Sequence, residues 1–335
     1  MRRAALFALF AAACAPKPEA LPTVTAAAET EPVGTSDDAA DDPAVWLDHA
    51  APEQSLILGT DKNAGLYLYD LKGAVVQFLP AGELNNVDLR QNVSLGGWSG
   101  DIAAATNRSD DTVTLFALEN RQASVSGAFP SPLEEPYGLC MGRAGDETLV
   151  FVTYKTGDVV AFRLIAPGAG EEIARLKLAS QLEGCVFDDD AGVLYIGEED
   201  RGIWKADFAG DRLSNPRLVD EVGKASGLKD DVEGLALYRI DAVRGYLVAS
   251  SQGNNSYAVY EREGDNRFVG RFRIGPGAAI DGAEETDGIE AVAVPLGPDF
   301  PMGALIAQDG FNDPKGSAQN FKIVDWREIE KALAR

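Results

Sequence analysis

The chain has 335 residues, with 30 Lys+Arg against 53 Asp+Glu, a formal net charge of −23 and a single histidine, His49. Such acidity repels phosphate backbones, which excludes a nucleic-acid binder built on lysine and arginine contacts. One histidine excludes HExxH zinc hydrolases and multi-histidine metal phosphatases, whereas carboxylate, amide and carbonyl oxygens suit hard cations such as Ca2+ and Mg2+.

Arg2 and Arg3 precede an apolar run over residues 4–13, which matches a signal-peptide core and is too short to span a bilayer. Residues 1–13 are therefore read as a signal peptide. Ala11-Ala12-Ala13-Cys14 resembles a bacterial lipobox, making Cys14 a lipidation site and the only route to a membrane; plain secretion is the alternative. Either way the protein is exported, as an outer-membrane or periplasmic lipoprotein or in secreted form. Pro16, Pro18 and Pro22 mark residues 14–23 as an extended tether. With Cys14 lipidated, Cys140 and Cys185 remain as an even pair in an oxidising compartment. Two readings stay open for them, a disulfide or two small buried apolar side chains.

The remainder is turn-rich, with 35 Gly and 17 Pro in a chain that is 45% hydrophobic. Three kinds of segment recur in fixed order, six times each. The first unit has an acidic head with an apolar continuation, Asp42-Pro-Ala-Val-Trp46, an apolar run over 56–62 ending in Asp61-Lys62, and an alternating run over 66–70. The second repeats this as Asn86-Val-Asp-Leu89, 102–108 ending in Asn107-Arg108, and 113–118. The third gives Pro136-Tyr-Gly-Leu-Cys140, 149–155 ending in Tyr154-Lys155, and 159–164. The fourth gives Glu183-Gly-Cys-Val186, 194–200 with Glu198-Glu199, and 203–207. The fifth gives Glu233-Gly-Leu-Ala236, 247–254 and 257–261, and the sixth Asp287-Gly-Ile-Glu290, 304–310 and 321–325. Only residues 326–334 read as helical. A repeat of about 45–55 residues is that of propeller blades. The expected fold is all-β, a single six-bladed β-propeller of four-stranded antiparallel blades over residues 24–335. The strand-like Thr23-Val-Thr-Ala-Ala27 is expected to close the ring by joining the last blade near Phe321.

In a propeller the first strand of each blade lines the central channel, and its start shares an edge with the end of the second strand. Asp41, Asp42, Tyr137, Glu183, Asp231, Glu233 and Asp287 should therefore meet Lys62, Arg108, Lys155, Glu199, Gln252 and Asp309 at one channel mouth. Taken singly these motifs read as turns, loops or charge runs; at corresponding repeat positions they read as a site. Crowded carboxylates raise one another's pKa, and two like charges about 4 Å apart repel by about 4 kcal/mol at an effective dielectric near 20. Such a cluster needs a cation, and calcium, with roughly 6–8 oxygen ligands, suits a ring of loops.

These strings, together with Leu84-Asn-Asn-Val-Asp88, Tyr195-Ile-Gly-Glu-Glu-Asp200, Asp231-Val-Glu-Gly-Leu235, Ala249-Ser-Ser-Gln-Gly-Asn254 and Ala307-Gln-Asp-Gly310, resemble the bacterial β-propeller phytases, calcium-dependent phosphohydrolases of inositol hexakisphosphate. The likeness runs in order from about Ala26 to Trp326. It implies catalytic calcium ions held by Asp41, Glu183, Glu199, Asp231, Glu233 and Asp287, and a scissile phosphate held by Lys62, Arg108, Tyr137 and Lys155. It further implies a structural calcium on Asp42 and the carbonyls of Pro43 and Val87, and another around Asp281, Asp309 and Asn312. The implied substrate is phytate as its calcium complex, attacked directly by a water that calcium activates. No covalent phosphoenzyme is expected: a Cys-x5-Arg loop fails, because Asp146 and Ala191 stand where the arginine is needed after Cys140 and Cys185. Two positions depart from the family, Asn63 in place of a second lysine and Thr156 in place of an acidic residue, both near the second phosphate pocket. A monomer is expected. The alternatives are a calcium-dependent propeller lactonase or sugar-acid hydrolase, which has no use for three basic groups at the metal, and a non-catalytic binding propeller.

Overall fold

Alternating apolar and polar residues between Gly, Asn and Asp turns build six antiparallel sheets in a computed structural model that describes residues 21–312 and 318–334. The signal segment 1–13, Cys14 and most of the tether lie outside the described residues. From the inside outward, blade 1 comprises Ala40–Trp46, Leu56–Asp61, Gly65–Asp70 and Val75–Pro80. Blade 2 comprises Leu84–Leu95, Trp98–Asn107, Thr112–Glu119 and Gln122–Pro130, and blade 3 Leu139–Ala144, Glu147–Thr153, Asp158–Ala166 and Ala169–Lys177. Blade 4 comprises Leu182–Asp188, Val193–Glu198, Gly202–Phe208 and Leu213–Glu221, and blade 5 Val232–Arg239, Gly245–Ser251, Ser256–Glu261 and Phe268–Ile274. Blade 6 takes Ile289–Val292, Ala304–Asp309 and Asn320–Asp325 from the end of the chain and Ala28–Glu29 from its beginning.

Ring closure therefore comes from the N-terminal segment, at a different place from the one expected. Ala28 pairs with Ile323 and Glu29 with Lys322, beside Phe321. Thr23–Val24 instead adds a fifth strand, in parallel, to blade 5 against Arg273 and Ile274. The physical reason is continuity: once Val24 is fixed on blade 5, the chain reaches the open edge of blade 6 only a few residues later. Ordered pairing thus extends into the segment read as tether, with Pro22 O accepting from Arg273 N at 2.9 Å.

Each hydrophobic core lies between two neighbouring blades, so every blade is a wedge with apolar residues on both faces. Leu58 and Leu68 of blade 1 pack on Val87, Ala103 and Phe116 of blade 2, and Phe151 of blade 3 packs on Phe187 and Phe208 of blade 4. Ile57 and Tyr69 of blade 1 meet Phe321 and Ile323 of blade 6, which seals the ring. The helix Trp326–Leu333 starts on its N-cap Asp325, which accepts from Arg327 N, and buries Trp326, Ile329 and Ala332. Trp326 stacks on Tyr238 with ring centroids 3.6 Å apart. Among the described residues no helix is long and apolar enough to cross a membrane.

Cys140 and Cys185 form a disulfide between the innermost strands of blades 3 and 4, with Cα atoms 5.6 Å apart. The bond closes a loop with a sequence separation of 45 residues, for which chain-entropy arguments give about 2–4 kcal/mol. Replacing both cysteines by alanine should lower the melting temperature by about 5 °C. Two free thiols titrating in the denatured, unreduced protein would contradict the bond.

Candidate active site

The site is built from one position per blade at the start of the innermost strand: Asp41, Asn85, Tyr137, Glu183, Glu233 and Asp287. Glycine follows most of them because neighbouring main chains touch there. A Cβ on Gly184 would lie 2.1 Å from Glu233 O, and one on Gly234 would lie 2.6 Å from Asp287 O. The ring is fastened from blade to blade by Gly234 N to Asp287 O at 2.8 Å and Gly288 N to Asp41 O at 3.1 Å. Hydroxyls at the ends of second strands hold the next blade's ring residue: Thr106 Oγ1 donates to Tyr137 O and Thr153 Oγ1 to Glu183 O, both at 2.6 Å.

A cavity of about 550 Å3 opens over this ring, lined by Lys62, Tyr137, Glu183, Glu233, Gln252 and Asp287 among others. Asp41, Glu183 and Glu233 are at most 5% exposed. One oxygen each from Glu183, Glu199 and Glu233 falls within 4.8 Å of the others. Burial, reinforced by neighbouring carboxylates, lifts Asp41 to about 6 against the pull of Lys62, and lifts Asp287 and Glu199 to about 7. Glu183 and Glu233 are raised by burial as well. Both oxygens of Asp41 and Oε2 of Glu233 are buried without a hydrogen-bond partner. Buried acceptors with no donor are what a hard cation would satisfy, so these residues fit a calcium centre.

The basic groups reach the same mouth. Lys62 Nζ lies 2.9 Å from Asp287 Oδ2, 3.6 Å from Asp41 Oδ1 and 2.6 Å from the exposed Asp38. Lys155 Nζ sits 4.2 Å over the Tyr137 ring, and its charge holds Glu199 down while that of Arg108 does the same for Asp41. Burial and then Glu183 push the Tyr137 hydroxyl far above the ordinary tyrosine range, so it stays protonated and able to donate.

Asp231 is outside the three-glutamate group but close enough for its charge to raise Glu199; it is half-buried and itself raised by burial and then by Asp230 and Asp200. Asp42 Oδ2 accepts from Val87 N at 3.0 Å, and Asp42, Pro43 and Val87 line a cavity of about 20 Å3 deeper in the channel. That is room for a single water or ion. Asp281, Asp309 and Asn312 surround the fully buried Lys322, whose ammonium lies 3.1 Å from Asp309 and 3.3 Å from Asn312 and also contacts Asp281 and Glu29. As arranged, these oxygens accept from that ammonium, and a metal there would have to share them with it. Three residues that sequence reasoning missed enter the site: Asn85, Asp38, and Gln181, whose Nε2 donates to Glu199 at 2.6 Å.

Asn63 Nδ2 donates to Thr35 Oγ1 and Asp38 O, both at 3.3 Å, and so ties its turn to the segment before the first blade, whereas Thr156 Oγ1 donates to Asp158 at 2.6 Å and completes a local turn. Asn63→Lys places a second cation beside Lys62 and, for the inositol hexakisphosphate that the sequence resemblance implies as substrate, should lower KM about fivefold with kcat little changed; an unchanged KM would remove position 63 from substrate binding.

The phytase family model matches residues 4–335. The 3-phytase of Bacillus subtilis (strain 168) is 42% identical over 328 residues, covering 92% of this chain and 85% of that protein. Among solved structures, the β-propeller domain of Myceliophteria thermophila Cps50 (Swd1) aligns with a TM-score of 0.47 and 15% identity over 84% of this chain and 82% of that one. That likeness adds nothing to the blade count read from the strands. The family match and the sequence relative, over a ring of buried carboxylates faced by lysine, arginine and tyrosine, place this chain in the phytase family.

Proposed function

We propose that this phytase hydrolyses phosphate from phytate with calcium ions gathered by Asp41, Glu183, Glu199, Asp231, Glu233 and Asp287. The observation that carries the metal is the set of buried carboxylate oxygens on Asp41 and Glu233 that lack a hydrogen-bond partner. Calcium, when bound, supplies positive charge for the phosphate oxygens and acidifies the attacking water. The protein's own groups do the rest. Lys62, Arg108 and Lys155 meet the scissile phosphate with charge-assisted hydrogen bonds, arginine in a bidentate manner. The protonated Tyr137 donates a further bond. Phosphate monoesters resist attack because of their charge, so neutralisation and in-line positioning suffice and no covalent phosphoenzyme is required.

Asp42, Pro43 and Val87 are read as the ligands of one structural calcium, on the strength of the single-ion cavity they line. Residues 2–14 support export, with lipidation at Cys14 or plain secretion; we take the protein to act as a monomer. Membership in the phytase family sets aside the lactonase and scaffold readings. The test is phosphate release from phytate by metal-stripped protein, with calcium added back or withheld. Release that is equal in both samples would overturn the calcium requirement, and no release in either would overturn the substrate.

A further inference from the structure

Asn85 holds blade 2's place in the ring and has no role in the scheme above. It is fully buried. Its Nδ2 donates to Asn86 Oδ1 at 2.9 Å and to Glu183 Oε1 at 3.2 Å. The ionised Glu183 carboxylate can only accept, so it orients the amide: turning it over would set Asn85 Oδ1 against Glu183 Oε1. Oδ1 is then left buried with no hydrogen-bond partner. Both oxygens of Asp41 and Oε2 of Glu233 share that condition within the same ring. A donor side chain could satisfy one such acceptor, whereas a cation could satisfy several at once.

We infer that Asn85 Oδ1 is a neutral ligand to the calcium centre beside Glu183, an inference that rests on the calcium reading above. An amide suits this position for two reasons. Its nitrogen holds Glu183 in place, and its oxygen adds a ligand without adding another negative charge to a crowded ring. Calcium accepts amide oxygens alongside carboxylates.

The experiment is a calorimetric calcium titration of metal-stripped protein, with the melting temperature of each metal-free form measured alongside. Asn85→Leu, which has neither donor nor acceptor, should bind the catalytic calcium about tenfold more weakly. Asn85→Asp, which keeps a ligand oxygen but loses the donor to Glu183, should bind at least as tightly as the wild type at pH 8. If Asn85→Leu binds like the wild type, the assignment fails. If both variants weaken alike, Asn85 acts only by holding Glu183 and the ligand role fails. Absence of calcium uptake by the wild type would instead overturn the calcium reading itself. Should Asn85→Leu give no cooperative melt, Asn85→Ala carries the same expectation.

Discussion

Metal-stripped protein should release no phosphate from phytate, and its melting temperature should fall as the pH is raised from 5 to 8, while calcium-loaded protein shows little of that fall. The direction follows from the raised carboxylates. Asp41 moves from 3.8 to about 6, Asp287 from 3.8 to about 7 and Glu199 from 4.5 to about 7, in each case chiefly through burial. A carboxylate whose folded pKa exceeds its unfolded one favours folding when protonated. That contribution is fully present below about pH 4 and is lost as the pH passes through the folded values of 6–7. At about 1.4 kcal/mol per pKa unit the three shifts sum to on the order of 10 kcal/mol, which solvent screening of the partly exposed Glu199 and charge sharing within the cluster reduce to several kcal/mol at pH 8 when nothing neutralises them. A bound cation removes that cost. The calcium-dependent gain in melting temperature should therefore be larger at pH 8 than at pH 5, and scanning calorimetry at the two pH values with calcium or EDTA reads it directly. A gain independent of pH would mean that the stabilising ions sit away from these carboxylates.

Arg108→Ala and Lys155→Ala should each cut kcat/KM for phytate by about 10²–10³-fold while moving the melting temperature by no more than about 2 °C. Among the described residues the Arg108 guanidinium makes no ion pair, and its Nε is buried without a hydrogen-bond partner. Lys155 is exposed and lies over the Tyr137 ring, with no ion pair among the described residues. Neither is committed to holding the fold, so both are free to meet phosphate. Lys62 is a poorer probe. It is nearly buried among Asp38, Asp41 and Asp287, and removing it would leave those carboxylates unneutralised, so activity and stability would fall together. A stability loss in Arg108→Ala comparable to that of a Lys62 variant would show that Arg108 belongs to the scaffold.

Most of the blade pattern is legible in the sequence because the inner and middle strands carry it. The run over 257–261 corresponds to Ser256–Glu261, and that over 56–62 to Leu56–Asp61. Outer strands such as Ala169–Lys177 escape, since Glu171, Glu172 and Arg175 face water and no strong alternation is imposed. The closing pair Ala28–Glu29 escapes for another reason: its pairing is dictated by the open edge waiting at Lys322 and Ile323 and not by its own composition. Asn85 is missed through register. Taking Asn86 as the head of the second unit shifts it one residue, whereas aligning on the position before Gly138, Gly184, Gly234 and Gly288 places Asn85 with Tyr137, Glu183, Glu233 and Asp287. The disulfide depends on a Cα separation that repeat spacing alone does not supply.

Lys322 reaches back to Glu29 across 293 positions of sequence, so the first and last parts of the chain end up in one sheet. Loop-closure entropy grows only as the logarithm of length, and joining ends about 300 residues apart costs roughly 2 kcal/mol more than joining ends about 30 apart. The penalty is thus modest in equilibrium and severe in time, because the final contact cannot form until both ends are available. Blades 1 to 5 can assemble from local hairpins as they emerge, but blade 6 stays one strand short until Ala28–Glu29 returns to it. Deleting residues up to Glu31 should therefore leave a slowly folding, open-edged sheet prone to pairing with other chains.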